Sequence, residues 1–428
     1  MYVLYSLLLA LVALLTLPWW VLQMLRLGKY RAGFKERLGF VPARLRNAAP
    51  GSIWIHAVSV GEVLAISRLL TELRSKYPAK QIFISTTTIT GQRLAHERFG
   101  EDHCFFMPLD FGFSVRAYLN VLKPRLLILA ETEFWPNLLH LARKRGIAIA
   151  IVNARISDRS FPRYRRFHWF FQRVLSSVDL FLAQTSADAE RLREIGAATE
   201  RVRVSGNLKF DIRPSSQSAL VNELRNAIGI NSLVIVCGST AEGEEETVLQ
   251  AFQQVREKFP SALMILAPRH PERFEKVAEL IASLRIGSVR RSAWQPGQPI
   301  TGSVFLLDSV GELAAIYALA NIAFVGGSLV PTGGHNILEP AQYGAAIMVG
   351  PHTFNFREII SIFEKGSAIQ TVTAESFSSA LLALLQDRDE REQLGRRAKE
   401  LFVQHAGATQ KTLQALEPLL ATGSGEIR

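Results

Sequence analysis

Apolar positions open the chain as one unbroken block and then recur as short runs separated by helical patterns. Residues 2–22 are almost wholly apolar and carry no charge. At a rise of about 1.5 Å per residue, such a helix is long enough to cross a bilayer core of about 30 Å. Further on, strand-like runs fall at 53–56, 82–85, 104–107, 126–130, 147–152 and 180–183, with helical patterns such as 63–76, 90–99 and 114–122 between them. A second series has runs at 233–237, 263–267, 304–307, 322–326 and 346–350, with helices expected near 244–258, 271–284, 312–319 and 337–343.

Repeated alternation of strand and helix predicts parallel sheets with helices on both faces, an α/β fold. The chain is too long for one ordinary core. A polar stretch, Arg213-Pro214-Ser215-Ser216, interrupts the alternation and reads as an interdomain linker over 212–218. The expected organisation is therefore a membrane anchor at 1–28, a Rossmann-like domain at 29–213 and a second Rossmann-like domain at 220–428, the two domains facing one cleft. The last residues, 422–428, read as a mobile tail.

Charge sharpens this picture. The 428 residues hold 49 Lys and Arg against 38 Asp and Glu, a net charge of +11, which suits an anionic partner such as nucleic acid, acidic lipid or a phosphorylated substrate. Arg26, Lys29, Arg31, Lys35 and Arg37 follow the apolar block and no charged side chain precedes it, so the positive-inside rule predicts a cytoplasmic body. A cleaved signal peptide would need basic residues before the block and a small-residue cleavage site after it, and neither is found. Cys104 and Cys237 sit inside apolar runs as small buried hydrophobes, and no Cys/His spacing resembles a metal site.

The segment Phe161-Pro162-Arg163-Tyr164-Arg165-Arg166-Phe167-His168-Trp169-Phe170-Phe171-Gln172-Arg173 interleaves aromatic and basic residues. As a helix it would suit an anionic membrane interface, an RNA surface, or simply a core with exposed arginines. The anchor favours lipid over nucleic acid.

Candidate chemistry gathers at strand ends. Glu62, in His56-Ala57-Val58-Ser59-Val60-Gly61-Glu62, falls where a strand hands over to a helix opening at Val63. A carboxylate there serves either as a helix cap or as a base toward a bound hydroxyl. Glu131-Thr132-Glu133-Phe134-Trp135-Pro136-Asn137 puts a carboxylate pair at the same sheet edge. Lys209 lies in Ser205-Gly206-Asn207-Leu208-Lys209-Phe210-Asp211, either solvated or near the cleft. In the second series, Gly238-Ser239-Thr240-Ala241-Glu242 reads as a capping box. Arg269 follows a strand, where a guanidinium can grip a phosphate. The glycines of Gly326-Gly327-Ser328 and Gly333-Gly334-His335-Asn336-Ile337-Leu338-Glu339 would let main-chain amides approach an anion, and Glu339 could meet a ribose diol. A carboxylate base on one wall and cations on the other suit group transfer from a nucleotide-linked donor.

Taken in order, these motifs, with Asn153-Ala154-Arg155, Pro268-Arg269-His270-Pro271-Glu272-Arg273-Phe274, Phe324-Val325-Gly326-Gly327-Ser328-Leu329 and Gly350-Pro351-His352-Thr353-Phe354-Asn355-Phe356, resemble the bacterial 3-deoxy-D-manno-octulosonic acid (Kdo) transferases of lipopolysaccharide assembly. The resemblance runs from the apolar N-terminus to about Leu420. It implies a two-domain GT-B fold and an inverting glycosyltransferase. The implied donor is CMP-Kdo, and the implied acceptor a lipid A precursor at the inner membrane beside its phospholipids. Glu62 would be the general base, and Glu131 and Lys209 would stabilise the transition state. Pro268, Arg269, Val310, Gly311, Glu312, Asn336, Ile337, Leu338 and Glu339 would hold CMP. No cofactor and no metal is implied, since the donor carries a single phosphate. With Glu62 at a helix N-terminus, a lowered basicity is expected, so that positioning rather than an elevated pKa would drive proton transfer. Two other readings fit the residues alone. One is a different nucleotide-sugar transferase acting on a membrane lipid carrier. The other is a membrane-tethered binding protein for an anionic ligand.

Overall fold

The computed structural model describes residues 1–27, 32–211, 219–228 and 232–421. The expected linker at 212–218, the tail at 422–428, and Lys29 and Arg31 of the basic cluster lie outside the described residues. The chain divides into two compact units, one of residues 1–211 with 406–428, the other of residues 212–405.

The first unit begins with helix α1 (Tyr2–Leu27). Its 19-residue stretch Tyr2–Trp20 is long and apolar enough to cross a membrane, and none of it is buried in the protein. Its first turns meet the body of the unit. Tyr2 stacks on His140 with ring centroids 3.8 Å apart, and Ser6 Oγ accepts a hydrogen bond from Asn137 Nδ2 at 3.0 Å.

The first unit is built on a seven-stranded, all-parallel sheet. Its strands are β1 (Ile53–His56), β2 (Ile82–Thr86), β3 (Cys104–Phe106), β4 (Leu126–Ala130), β5 (Ala148–Ala154), β6 (Leu180–Ala183) and β7 (Val202–Val204). Their order is β3-β2-β1-β4-β5-β6-β7. Strand order therefore reverses between β1 and β4, and in open parallel sheets the crevice beyond the strands' carboxyl ends at such a point is where ligands bind. The apolar runs of β1 and β4 are buried on both faces, as sandwiching by helices requires.

Helix α2 (Val60–Lys76) follows β1 and starts three residues earlier than its apolar pattern. Ser59 is its N-cap, so Glu62 sits in the first turn rather than ahead of it. Helix α3 (Pro136–Lys144) follows β4, its proline at the first position, where a missing N–H costs nothing. The buried carboxylate of Asp110 accepts from the amides of Asn137 (3.0 Å) and Leu138 (2.9 Å) and so caps α3.

The aromatic-basic segment forms two helices, not one: α4 (Phe161–Arg166) and α5 (His168–Leu175), broken at Phe167. Phe161, Tyr164, Phe170 and Phe171 pack on the core. Tyr164 meets both Phe134, two residues past Thr132, and Phe171 edge-on, and the Phe171 ring is tilted against Phe134. Phe167, Trp169, Arg163, Arg165 and Arg166 remain exposed. Half of this segment is thus ordinary core, and half is a cationic, aromatic surface.

The second unit repeats the plan. Its strands are β8 (Val234–Thr240), β9 (Leu263–Pro268), β10 (Ser288–Arg290), β11 (Val304–Leu306), β12 (Ile322–Val325), β13 (Ala346–Val349) and β14 (Gln370–Thr371), all parallel, in the order β10-β11-β9-β8-β12-β13-β14. The order reverses between β8 and β12. Helix α6 (Glu245–Lys258) follows β8 and covers the sheet with Val248, Leu249, Phe252 and Val255.

The last helix, α7 (Ala408–Ala421), corrects the expected domain boundary at 428. Its leucines, Leu413, Leu416 and Leu420, are buried with Ile66, Leu69, Leu70 and Leu73 in the first unit's core. Asp211 holds this return, its carboxylate accepting from the amides of Gly407 (2.6 Å) and Thr409. An amphipathic helix shows which face it buries, but its sequence does not say against which sheet.

Candidate active site

Each switch point gathers residues that the motifs singled out. In the first unit, β1 delivers Glu62 through the turn Ala57–Ser59, and β4 delivers Glu131 and Glu133. Glu62 is 8% exposed. Its Oε2 accepts from the Val58 amide at 2.7 Å and its Oε1 from Ser59 Oγ at 3.2 Å. The capping function is therefore real, but the carboxylate reaches back over the turn instead of pointing into solvent.

Burial pushes the Glu62 carboxyl up to about 7, against the lowering effect of the Val58 amide, and the charges of Glu131 and Glu133 push it further the same way. This reverses the expectation of lowered basicity. The helix N-terminus does favour the charge, but desolvation outweighs it. Glu133 is raised as well, first by burial and then by Glu131.

Glu131 occupies a left-handed backbone conformation, φ 57°, and its amide donates to the Val152 carbonyl at 2.9 Å. The short 3-10 turn Leu208–Phe210 carries Lys209, whose Nζ lies 3.4 Å from Glu131 Oε1. Asn153 fastens that turn. Its Oδ1 accepts from the Leu208 amide at 3.0 Å, and its main-chain carbonyl accepts from Gln184 Nε2 at 3.0 Å. Asn153 is also left-handed, φ 55°, as is common for this residue. Glu62, Glu131 and Lys209 are thus brought together, with Glu133 and Asn153 as additional members. Only the Asn153-Ala154-Arg155 motif signalled Asn153.

His56 lies beneath this group, fully buried. Its Nδ1 is 2.9 Å from Ser85 Oγ, and its ring meets Trp135 edge-on at 5.9 Å. Burial drives it down to about 4, so it is neutral at physiological pH. His56 Nε2, Trp135 Nε1 and Asn153 Nδ2 are buried without hydrogen-bond partners, three polar atoms beside the switch point that a ligand could satisfy.

In the second unit, Pro268 ends β9 and Arg269 follows, exposed, its amide donating to the Thr240 carbonyl at 3.0 Å. Arg269 is near enough to Glu339 and His335 to affect both. Burial raises the Glu339 carboxyl, opposed by Asn336 and Arg269. His335 is driven down to about 4, first by burial and then by Arg269 and His270. Asn336 Oδ1 accepts from the Leu338 amide at 3.2 Å and its Nδ2 approaches Glu339 at 3.5 Å. Arg269, Asn336 and Glu339 therefore form one cluster. The side chains of Ile337 and Leu338 are core, so only their main chain can meet a ligand.

Val310, 75% exposed, and Gly311, φ 90°, form an open turn. Glu312 is already engaged: Arg291 pairs with it through Nη2 at 3.1 Å and Nε at 3.2 Å, and Ser309 Oγ donates to it. Arg291 had no motif to signal it.

Two expectations about this unit fail. Ser239 lies in β8 with φ 56°, and Glu242 pairs with Arg273 at 2.9 Å, so no capping box forms between them. The amides of Gly327 and Ser328 are not open to an external anion either. Both donate to the buried carboxylate of Glu244, at 2.7 and 2.9 Å.

Two seven-stranded parallel sheets, each reversing strand order where carboxylates and cationic groups collect, place the chain in the GT-B fold class. The UDP-GlcNAc 2-epimerase of Neisseria meningitidis shares this fold, with a TM-score of 0.55 and 12% identity over 86% of this chain and all of that one. Residues 298–401 match the family described as glycosyl transferases group 1, and residues 32–212 match the 3-deoxy-D-manno-octulosonic-acid transferase (kdotransferase) family. The chain is 37% identical to the 3-deoxy-D-manno-octulosonic acid transferase of Haemophilus influenzae over 92% of both chains. It is 36% identical to that of Bordetella pertussis over 91% of this chain and 94% of the other. The chain belongs to the Kdo transferase family.

Proposed function

We propose that this Kdo transferase moves Kdo from CMP-Kdo to a hydroxyl of a lipid A precursor, lipid IVA, with inversion at the anomeric carbon and with Glu62 as general base. The observation that carries the reading is the setting of Glu62. It is buried at the switch point, held by Val58 and Ser59, and tuned to about 7, where a base is half ionised and most effective near neutral pH. The acceptor oxygen forms a bond to the anomeric carbon as Glu62 takes its proton. The bond from that carbon to the phosphate oxygen breaks, and CMP leaves with the electron pair.

Glu131 and Lys209 stabilise the transition state, the lysine setting the field and Glu131 holding it in place. Arg269 meets the departing phosphate, and Asn336 and Glu339 take the ribose. Pro268, Ile337 and Leu338 contribute backbone and shape, and Val310, Gly311 and Glu312 present the turn fastened by Arg291. No metal is assigned a role, because the leaving group carries one phosphate and Arg269 can meet its charge.

Helix α1 anchors the enzyme to the bacterial inner membrane, with both units on the cytoplasmic side. The exposed arginines and aromatics of α4 and α5 rest on anionic phospholipid. Protein partners are not assigned, and nucleic acid is not a partner. The test is to incubate purified protein with CMP-Kdo and a tetraacylated lipid A precursor and weigh the lipid product. A mass increase of one or more Kdo residues is expected. An unchanged lipid with consumed donor would remove the acceptor assignment.

A further inference from the structure

The turn after β12 is glycine-rich and rows its amides inward, as phosphate-binding loops do, yet its anion is already present. Glu244 is 0% exposed. Its Oε2 accepts from the amides of Ala241 (2.8 Å) and Gly327 (2.7 Å), and its Oε1 from those of Ser328 (2.9 Å) and Leu329 (2.8 Å). Ala241 belongs to the turn after β8 and the other three to the turn after β12. These strands flank the second switch point, so the carboxylate ties together both lips of the crevice. The lips touch closely. A Cβ on Gly326 would come within 2.6 Å of Thr240 Cα and 2.7 Å of the Ser239 carbonyl. Arg269 joins the same place through the hydrogen bond that its main-chain amide donates to the Thr240 carbonyl.

A concave set of main-chain amides at strand ends is an anion site in its own right. We propose that Glu244 is a specificity-determining residue, a built-in anion that fills this nest and restricts the site to nucleotides carrying one phosphate. This rests on the donor-binding reading of the second unit given above. A nucleoside diphosphate brings a second phosphate, which meets amides already bonded and a buried negative charge at their focus. A monophosphate needs only the guanidinium of Arg269 and has no use for the nest. The side chain thus stabilises the crevice and rejects the wrong donor class with the same four hydrogen bonds.

The experiment compares CMP and CDP binding to the full-length protein, to Glu244→Gln and to Glu244→Ala by titration calorimetry. The wild type is expected to bind CMP at least about tenfold more tightly than CDP. In Glu244→Ala the gap is expected to close to about threefold or less, through a gain in CDP affinity, with Glu244→Gln between the two. Inorganic phosphate should raise the melting temperature of Glu244→Ala and leave that of the wild type unmoved, a readout that survives even where the variant is too unstable for calorimetry. An unchanged CMP-to-CDP ratio in the variants, or equal phosphate effects on variant and wild type, overturns the proposal. A wild type that binds no CMP would overturn the donor reading itself, whereas CMP binding with a ratio indifferent to position 244 removes only this role.

Discussion

Lys209 Nζ lies 3.4 Å from Glu131 Oε1, so the lysine compensates Glu131 directly, while Glu62 is left facing the residual negative field of Glu131 and Glu133. Replacing Lys209 with Met leaves Glu131 uncompensated. The acid limb of the kcat/KM profile should then move to higher pH, and kcat should fall about 10–100-fold through loss of a charge aimed at the transition state. A pH series on Lys209→Met measures both. A lower kcat with an unmoved limb would mean that Lys209 acts on substrate alone.

The buried Glu62 carboxyl has a stability signature. The folded Glu62 carboxyl titrates near 7, above its ordinary value of 4.5. Below 4.5 both folded and unfolded chains hold the proton and nothing is lost. As pH rises toward 7 the unfolded chain releases it and the folded chain does not, so the wild type loses stability progressively and levels off above 7. Glu62→Gln has no such dependence. Its melting temperature relative to wild type should therefore rise between pH 5 and pH 8, by the equivalent of roughly 2–3 kcal/mol. A pH-independent difference would mean that Glu62 is not perturbed by burial.

Asp211 secures the return of the chain to the first unit. Asp211→Ala leaves the amides of Gly407 and Thr409 without their acceptor, at a cost of about 1–3 kcal/mol. Hydrogen exchange should show faster opening of α7 than of β8 or β12. Uniform acceleration across both units would contradict a local role.

Much of this was legible because buried parallel strands announce themselves. The runs at β1, β4, β8 and β12 are apolar on both faces, and they carry the two switch points. β7, β10 and β14 were not legible. Val202-Arg203-Val204, Ser288-Val289-Arg290 and Gln370-Thr371 are short and lie toward sheet edges, where the second face is not buried and the pattern fades. Motif order located Glu62, Glu131, Lys209 and Arg269, but not their states. The basicity of Glu62 depends on its burial and on the charges of Glu131 and Glu133, about 70 residues away in sequence, and a local helix-end argument gave the opposite sign. Glu244 escaped notice because an acidic residue before a helix reads as an ordinary cap. Three of its four partners, Gly327 to Leu329, come from the turn after a strand distant in sequence.

The exposed half of the aromatic-basic segment makes its own prediction. Replacing Arg163, Arg165 and Arg166 with Ser should weaken binding to vesicles containing anionic phospholipid, about 1 kcal/mol per charge, without altering CMP affinity. Co-sedimentation at two salt concentrations separates this effect from the contribution of α1. Unchanged co-sedimentation would leave α1 as the sole attachment.

The central claim is that Glu62 is the base and that burial sets its working range. The most direct measurement is kcat/KM from pH 5 to pH 9 for wild type and Glu62→Gln, with CMP-Kdo and the lipid A precursor. The wild type should show an acid limb near pH 7, and the variant should lose at least about a hundredfold in kcat and show no such limb, while still binding CMP. Turnover by Glu62→Gln at the wild-type rate, or the same limb in both proteins, would contradict it.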